Sequence, residues 1–183
     1  MKVIVAFTGA SGQIYGLKIL EILRDNGVET HVIVSKAATI TMNVEGIDIA
    51  QVKANSSKFY SNDDIGAKLS SGSFKHDGMI IAPCSVKTAS SIAHGITNNL
   101  ISRTADVTLK ERRKLVLLVR ETPLHTGHLR TLLTLSEIGA IIMPPVPAFY
   151  IRPKSLDDIV THTAARAVSF LGIHVDYEWE GIV

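Results

Sequence analysis

Met1-Lys2-Val3-Ile4-Val5-Ala6-Phe7-Thr8-Gly9-Ala10-Ser11-Gly12-Gln13-Ile14-Tyr15-Gly16 opens the chain, and its reading decides the fold. A short apolar run, Val3 to Phe7, stops at Thr8-Gly9, and an amphipathic helical pattern begins almost at once. A buried strand feeding a glycine-rich turn and a helix presents backbone N–H groups and a partial positive charge to an anion such as phosphate. Glycine lets such a ligand come close to the backbone. The glycines stand at positions 9, 12 and 16 rather than in GxGxxG, and Ser11 adds a hydroxyl to the turn. Taken alone, the turn reads equally well as a plain connection between strand and helix.

Further along, Ile14, Leu17, Ile19, Leu20, Ile22 and Leu23 recur at helical spacing against Lys18, Glu21, Arg24 and Asp25, and Asn26-Gly27 ends the helix. Glu29 to Val34 reads as a second strand. A dinucleotide-binding fold would place Asp or Glu near its end to hold ribose hydroxyls; Ser35-Lys36 stands there instead, which argues against NAD. A helix is predicted over Lys36 to Val44. Residues 46–77 are polar and show no regular pattern, with Ser70-Ser71-Gly72-Ser73 reading as a loop. Met79 to Ala82 is a buried strand closed by Pro83, followed by the hydroxyl-rich stretch Cys84 to Ser91. Asn98-Asn99 leads a helix to about Arg113, Leu115 to Val119 is a strand, residues 126–138 are helical, and Ala140 to Met143 is a strand. Pro144-Pro145-Val146-Pro147 is a stiff loop. Ser155-Leu156-Asp157-Asp158 starts a helix that runs to about Leu171-Gly172. Five strands alternating with helices predict a single α/β domain with a doubly wound, mainly parallel sheet in a Rossmann- or flavodoxin-like three-layer arrangement.

The 183 residues suit one domain, and 46% apolar with 20% charged residues is a globular composition. A net charge of +2 with acids and bases interspersed gives no nucleic-acid footprint. The single cysteine, Cys84, excludes an internal disulfide and a cysteine-rich zinc site. No apolar run approaches the ~20 residues that span a bilayer. Val3 to Phe7 is too short for a signal-peptide core. The expectation is a cytoplasmic protein with no membrane partner.

Ligands of open α/β sheets bind beyond the carboxyl ends of the strands. Those positions hold Gly9-Ala10-Ser11, Ser35, Ser85 to Thr88, Arg120-Glu121 and the loop of residues 144–152. Among seven histidines, His125 and His128 are the one close pair; they share a helix face, but no carboxylate is spaced to complete a metal site, and no metal is expected. Cys84 at a helix start suits a nucleophile, and a small buried cysteine equally. Lys110, Arg112 and Arg113 read as a solvated helix face; Arg103, two turns before Lys110, shares its stripe and allows a phosphate site. Arg120-Glu121 directly after a buried strand is costly unless the charges pair or meet a ligand.

In these blocks the chain resembles the flavin prenyltransferase (UbiX-type) family over nearly its whole length. The resemblance is carried by Thr8-Gly9-Ala10-Ser11-Gly12, Val34-Ser35-Lys36-Ala37-Ala38, Pro83-Cys84-Ser85-Val86-Lys87-Thr88, the run from Arg103 to Arg113, Val119-Arg120-Glu121-Thr122-Pro123-Leu124 and Met143-Pro144-Pro145-Val146-Pro147-Ala148-Phe149-Tyr150. It implies transfer of the dimethylallyl group of dimethylallyl phosphate to reduced FMN, with bonds at flavin N5 and C6, a new ring, and metal-independent release of phosphate. The prenylated FMN would serve a UbiD-type decarboxylase. The resemblance also implies a homododecamer with active sites at subunit boundaries. Carried over by residue, Gly9, Ala10, Ser11, Ser35, Ser85, Val86, Lys87, Thr88 and Arg120 would bind FMN. Tyr150 and Arg166 would hold dimethylallyl phosphate, with Arg103 and Lys110 as further phosphate ligands. Several cations and a phenol can neutralise a leaving phosphate without magnesium. Ser11 and Glu121 would handle protons during ring closure, and Glu45 matches a family acid near the substrate. Residues 173–183 would form a tail in which Trp179 closes over the prenyl chain, where an aromatic face stabilises an allylic cation.

Three other readings stand beside this one. The related flavin-dependent cysteine decarboxylases carry a Pro-Ala-Ser-Ala-Asn-Thr block and an early catalytic histidine; this chain has Pro83 to Thr88 as above, and only His31 within its first fifty residues. A non-catalytic flavin carrier would not need Arg103, Lys110, Tyr150 and Arg166. A decarboxylase in its own right would need a carboxylic-acid subsite, and no separate constellation supplies one.

Overall fold

Val3, Val5 and Phe7 bury their side chains in one apolar core and Ile4 and Ala6 in a second, so the first strand separates two layers. A strand buried on both faces reads as a continuous apolar run and belongs inside a parallel sheet. The computed structural model, which describes residues 1–175 and residue 181, bears this out. Strands β1 (Lys2–Phe7), β2 (Glu29–Val34), β3 (Lys58–Ser61), β4 (Gly78–Cys84), β5 (Lys114–Val119) and β6 (Ile141–Ile142) pair in parallel in the order β3-β2-β1-β4-β5-β6. That order reverses direction between β1 and β4, the switch point where doubly wound sheets bind ligands.

Helices α1 (Gln13–Asp25), α2 (Lys36–Val44), α3 (Ile49–Ala54) and α7 (Leu156–Ser169) pack into the core that holds Val3, Val5 and Phe7. On the opposite face lie α4 (Val86–Ala93), α5 (Leu100–Lys110) and α6 (Thr126–Glu137). Gly16 is what lets α1 lie flat on the sheet: a Cβ there would run into the Ala82 carbonyl and the Phe7 ring. None of the described helices is long and apolar enough to cross a membrane.

The sheet has six strands where five are predicted. Residues 46–77 hold α3, β3 and a 3₁₀ turn at Lys68–Ser70. No residue of β3 is buried, because it is an edge strand with one paired side, and so it lacks the apolar run that marks its neighbours. The last strand shrinks from four residues to Ile141–Ile142, and α5 ends at Lys110.

Candidate active site

Thr8, 2% exposed, ties the two sides of the switch point together. Its hydroxyl donates to the Pro83 carbonyl at 2.8 Å and accepts from the Ser85 N–H at 2.8 Å. Beyond this tie, three helix starts face one another. Ser35 caps α2 by accepting from the Ala38 N–H at 3.1 Å, Ser85 caps α4 by accepting from the Thr88 N–H at 3.4 Å, and Asn99 caps α5 by accepting from the Ser102 N–H at 3.0 Å. They converge on a cleft of about 270 Å³ lined by Gly9, Ser35, Ser85, Lys87 and Thr88, and also by Asn62, Asn99 and Ser102. Three helix starts, several hydroxyls and a lysine give this cleft the donors that suit a phosphate monoester.

Asn62 belongs to the stretch where the sequence shows no pattern, yet it sets the start of α5. Its backbone carbonyl accepts from the Leu100 N–H and its side chain from the Ile101 N–H, each at 2.9 Å. At the cleft mouth the exposed Lys36 and Asp63 form an ion pair at 2.7 Å. Sequence reasoning missed both contacts, because each joins residues far apart along the chain.

The opening turn differs from its first reading. Gly12 adopts the left-handed region (φ 99°), and the Glu45 carboxylate accepts from the Gly12 and Gln13 N–H groups, both at 2.8 Å. The buried Gln13 side chain donates to the carbonyls of Thr8 and Ala10, both at 2.7 Å. The anion at the start of α1 is therefore the protein's own. The cleft with donors suited to phosphate lies instead at the starts of α2, α4 and α5, with Gly9 on its wall. A Cβ on Gly9 would stand 2.6 Å from that of Ala37, so the turn and α2 touch. Ala10 is half-buried beside it, and Ser11 is exposed with its hydroxyl unbonded among the described residues.

Arg120 follows β5, exposed and without an ion pair among the described residues, while its N–H donates to the Cys84 carbonyl at 3.1 Å. Glu121 is half-buried and accepts from the Thr122 N–H at 3.0 Å. Val86 opens α4. Cys84 is fully buried, which pushes its thiol up to about 12; the nucleophile reading falls, since the thiolate is the reactive form. His125 caps α6, its Nδ1 accepting from the Gly127 N–H at 3.0 Å and the His128 N–H at 3.4 Å. The two rings meet at a tilt of 30° with centroids 3.6 Å apart, so this pair serves as a helix start.

The cations proposed for phosphate fall into two places. Arg103 donates to the Ser70 carbonyl at 3.2 Å and pairs with Asp106 at 3.0 Å, and Lys110 pairs with Glu111, all along α5. Arg166 sits in the last turn of α7, on the other face of the sheet, with its guanidinium 4.8 Å from the Phe170 ring centroid. Leu171, just beyond, packs on Gly78 at the amino-terminal start of β4, whereas the cleft opens at the carboxyl ends of the strands. Tyr150 stands with Arg166's helix: its Oη is 3.3 Å from Nε2 of His162, one turn before Arg166. Burial, then the charge of Arg166, hold His162 below the usual histidine range. Within one chain, Tyr150 and Arg166 are thus not brought to Arg103 and Lys110. Trp179 lies outside the described residues, as does the tail of residues 173–183 apart from 173–175 and 181.

The Flavoprotein family profile matches residues 1–168. Flavin prenyltransferase UbiX of Archaeoglobus fulgidus is 54% identical over 178 residues, covering 97% of this chain and 98% of that protein. The chain belongs to the flavin prenyltransferase family of flavoproteins. Among solved flavoproteins, AnUbiX (PadA1) in complex with FMN and dimethylallyl pyrophosphate superposes with a TM-score of 0.96 at 44% identity, covering 100% of this chain and 98% of that one. A dodecameric FMN-dependent UbiX-like decarboxylase from Escherichia coli O157:H7 gives 0.95 at 45% identity, covering 99% and 100%.

Proposed function

We infer that this chain joins the dimethylallyl group of dimethylallyl phosphate to reduced FMN, at N5 and C6, and releases phosphate. The observation that carries the reading is the convergence of three helix starts on the hydroxyl-lined cleft at the switch point. That donor set fits the monoester end of FMN, which Ser35, Ser85, Thr88 and Lys87 would hold, with Gly9, Ala10, Ser11, Val86 and Arg120 along the ring system. Reduced FMN supplies two nucleophilic positions. The residues supply orientation and charge. Tyr150, Arg166, Arg103 and Lys110 would neutralise the donor's phosphate as its C–O bond breaks, which lowers the barrier as charge builds on oxygen. Ser11 and Glu121 would receive and return the proton exchanged during ring closure, and Glu45 would act by shaping the turn that carries Ser11. Trp179 and the tail would close over the prenyl chain.

Because Arg166 and Arg103 lie on opposite faces of the sheet, the reading requires donor sites shared between copies, which a homododecamer would supply. The product would pass to a UbiD-type decarboxylase. A free, buried Cys84 fits a cytoplasmic setting. The test is direct. Under anaerobic conditions with a chelator, the purified protein given reduced FMN and dimethylallyl monophosphate should release phosphate and yield a flavin heavier by one prenyl unit. Recovery of unmodified FMN alone would overturn the reading, and carbon dioxide release from a cysteine peptide would then favour the decarboxylase reading over the carrier.

A further inference from the structure

We propose that His162 is a positioning residue for Tyr150, holding the phenol so that its proton is directed at the phosphate of the prenyl donor. The proposal deepens the function inferred above and rests on it for the roles of Tyr150 and Arg166.

Tyr150 is carried by a short element. It sits in a three-residue 3₁₀ turn, Phe149–Ile151, between the proline-rich loop and α7, and it is 59% exposed. A donor that must be ordered in the transition state forfeits part of its benefit unless it is held beforehand. His162 is better anchored: it is half-buried on α7, a helix packed along α1. Its ring meets the phenol edge-on, with centroids 5.7 Å apart and planes at 84°, and Nε2 lies 3.3 Å from Oη. Arg166 follows one turn later on the same side of α7, so phenol, imidazole and guanidinium form one row.

One tautomer of the imidazole sets the direction of that row. Burial and the neighbouring guanidinium keep the imidazole neutral, with a single N–H. With that hydrogen on Nε2, His162 donates to Oη. The phenol's own proton is then turned away from the imidazole and made a stronger donor by the bond it accepts. The Arg166 fork can grip two phosphate oxygens at once, whereas a held phenol adds one directed O–H to a third. As the donor's C–O bond breaks, its electron pair goes to the phosphate oxygen. A fixed O–H aimed there stabilises that state more than the ground state. No proton need leave His162.

The experiment compares His162→Ala, His162→Gln, Tyr150→Phe and the double variant Tyr150→Phe/His162→Ala with the unaltered full chain. It uses reduced FMN and dimethylallyl monophosphate, and measures kcat and KM for the donor, FMN affinity and thermal midpoint. His162→Ala should lower kcat/KM for the donor about tenfold while FMN affinity stays unchanged. His162→Gln, whose amide N–H can donate from nearly the same place, should recover most of that loss. The double variant should be no worse than Tyr150→Phe alone, because both changes remove one coupled interaction. A merely structural histidine would lower the thermal midpoint without that coupling. Additive losses in the double variant, a glutamine no better than alanine, or wild-type kinetics in His162→Ala would each overturn the proposal. Failure of the unaltered protein to make prenylated flavin would overturn the function itself and this proposal with it.

Discussion

The Glu45 carboxylate accepts the Gly12 and Gln13 N–H groups at 2.8 Å and supplies the anion that an uncapped α1 would draw from solvent. Replacing Glu45 with alanine should therefore destabilise the fold by about 1–2 kcal/mol, the usual cost of losing a helix cap. Urea denaturation reads this, and an unchanged midpoint would mean that water caps the helix equally well. Ser11, one residue before Gly12, behaves oppositely. It is exposed and its hydroxyl is unbonded among the described residues, so Ser11→Ala should keep both the urea midpoint and FMN binding. Product formation should nonetheless slow by about tenfold or more, in the range that a lost acid–base group gives. Turnover at the wild-type rate would remove Ser11 from the chemistry. The turn that carries Ser11 was legible in the sequence because it is local. The capping by Glu45 was not, since that contact spans more than thirty residues.

At the scale of elements, legibility followed burial. Strands β1, β2, β4 and β5 are buried apolar runs, and each was readable from composition alone. Edge strand β3 and short α3 were not, because an exposed Lys58-Phe59-Tyr60-Ser61 carries no period to detect. The unread stretch also feeds a buried network. His31 on β2 lies within hydrogen-bond reach of Tyr60 and Glu29, each at 3.0 Å, and packs edge-on against Phe74. Burial, aided by Lys68 and Lys58, outweighs Glu29 and holds His31 below its ordinary range; burial does the same to His76, whose ring nitrogen donates to the Gly78 carbonyl at 3.2 Å. Both histidines are thus more readily protonated in the unfolded chain. Their contribution to stability is complete above the unfolded histidine pKa of about 6.5 and is lost as pH falls toward the folded values. The slope should reach up to about 1.4 kcal/mol per pH unit for each histidine. Chemical denaturation between pH 7.5 and 5 checks this, and His31→Gln should flatten the profile. A stability that rose on acidification would contradict the sign.

For the whole molecule, the decisive fact is that one sheet separates the proposed donor ligands. Arg166 ends α7 on one face, near the amino-terminal edge, while Arg103 and Lys110 ride on α5 across the sheet. No rotamer change spans a packed three-layer domain, so a site using both sets must draw them from different copies in a closed, symmetric assembly. Such sites can be complemented. Arg103→Ala and Arg166→Ala should each be nearly inactive as pure assemblies, since every donor site lacks one cation. Co-expressed in equal amounts, they should form mixed assemblies in which about a quarter of the sites combine an intact Arg103 with an intact Arg166. Those sites should restore about a quarter of wild-type prenylated-flavin formation, at wild-type KM for dimethylallyl phosphate. The double variant Arg103→Ala/Arg166→Ala co-expressed with wild type supplies the control, because it too leaves about a quarter of shared sites intact. A site built within one chain behaves differently: co-expressed single variants would stay inactive, and the control would keep about half its activity. The pair of yields therefore separates a shared site from a private one without any structure of the assembly.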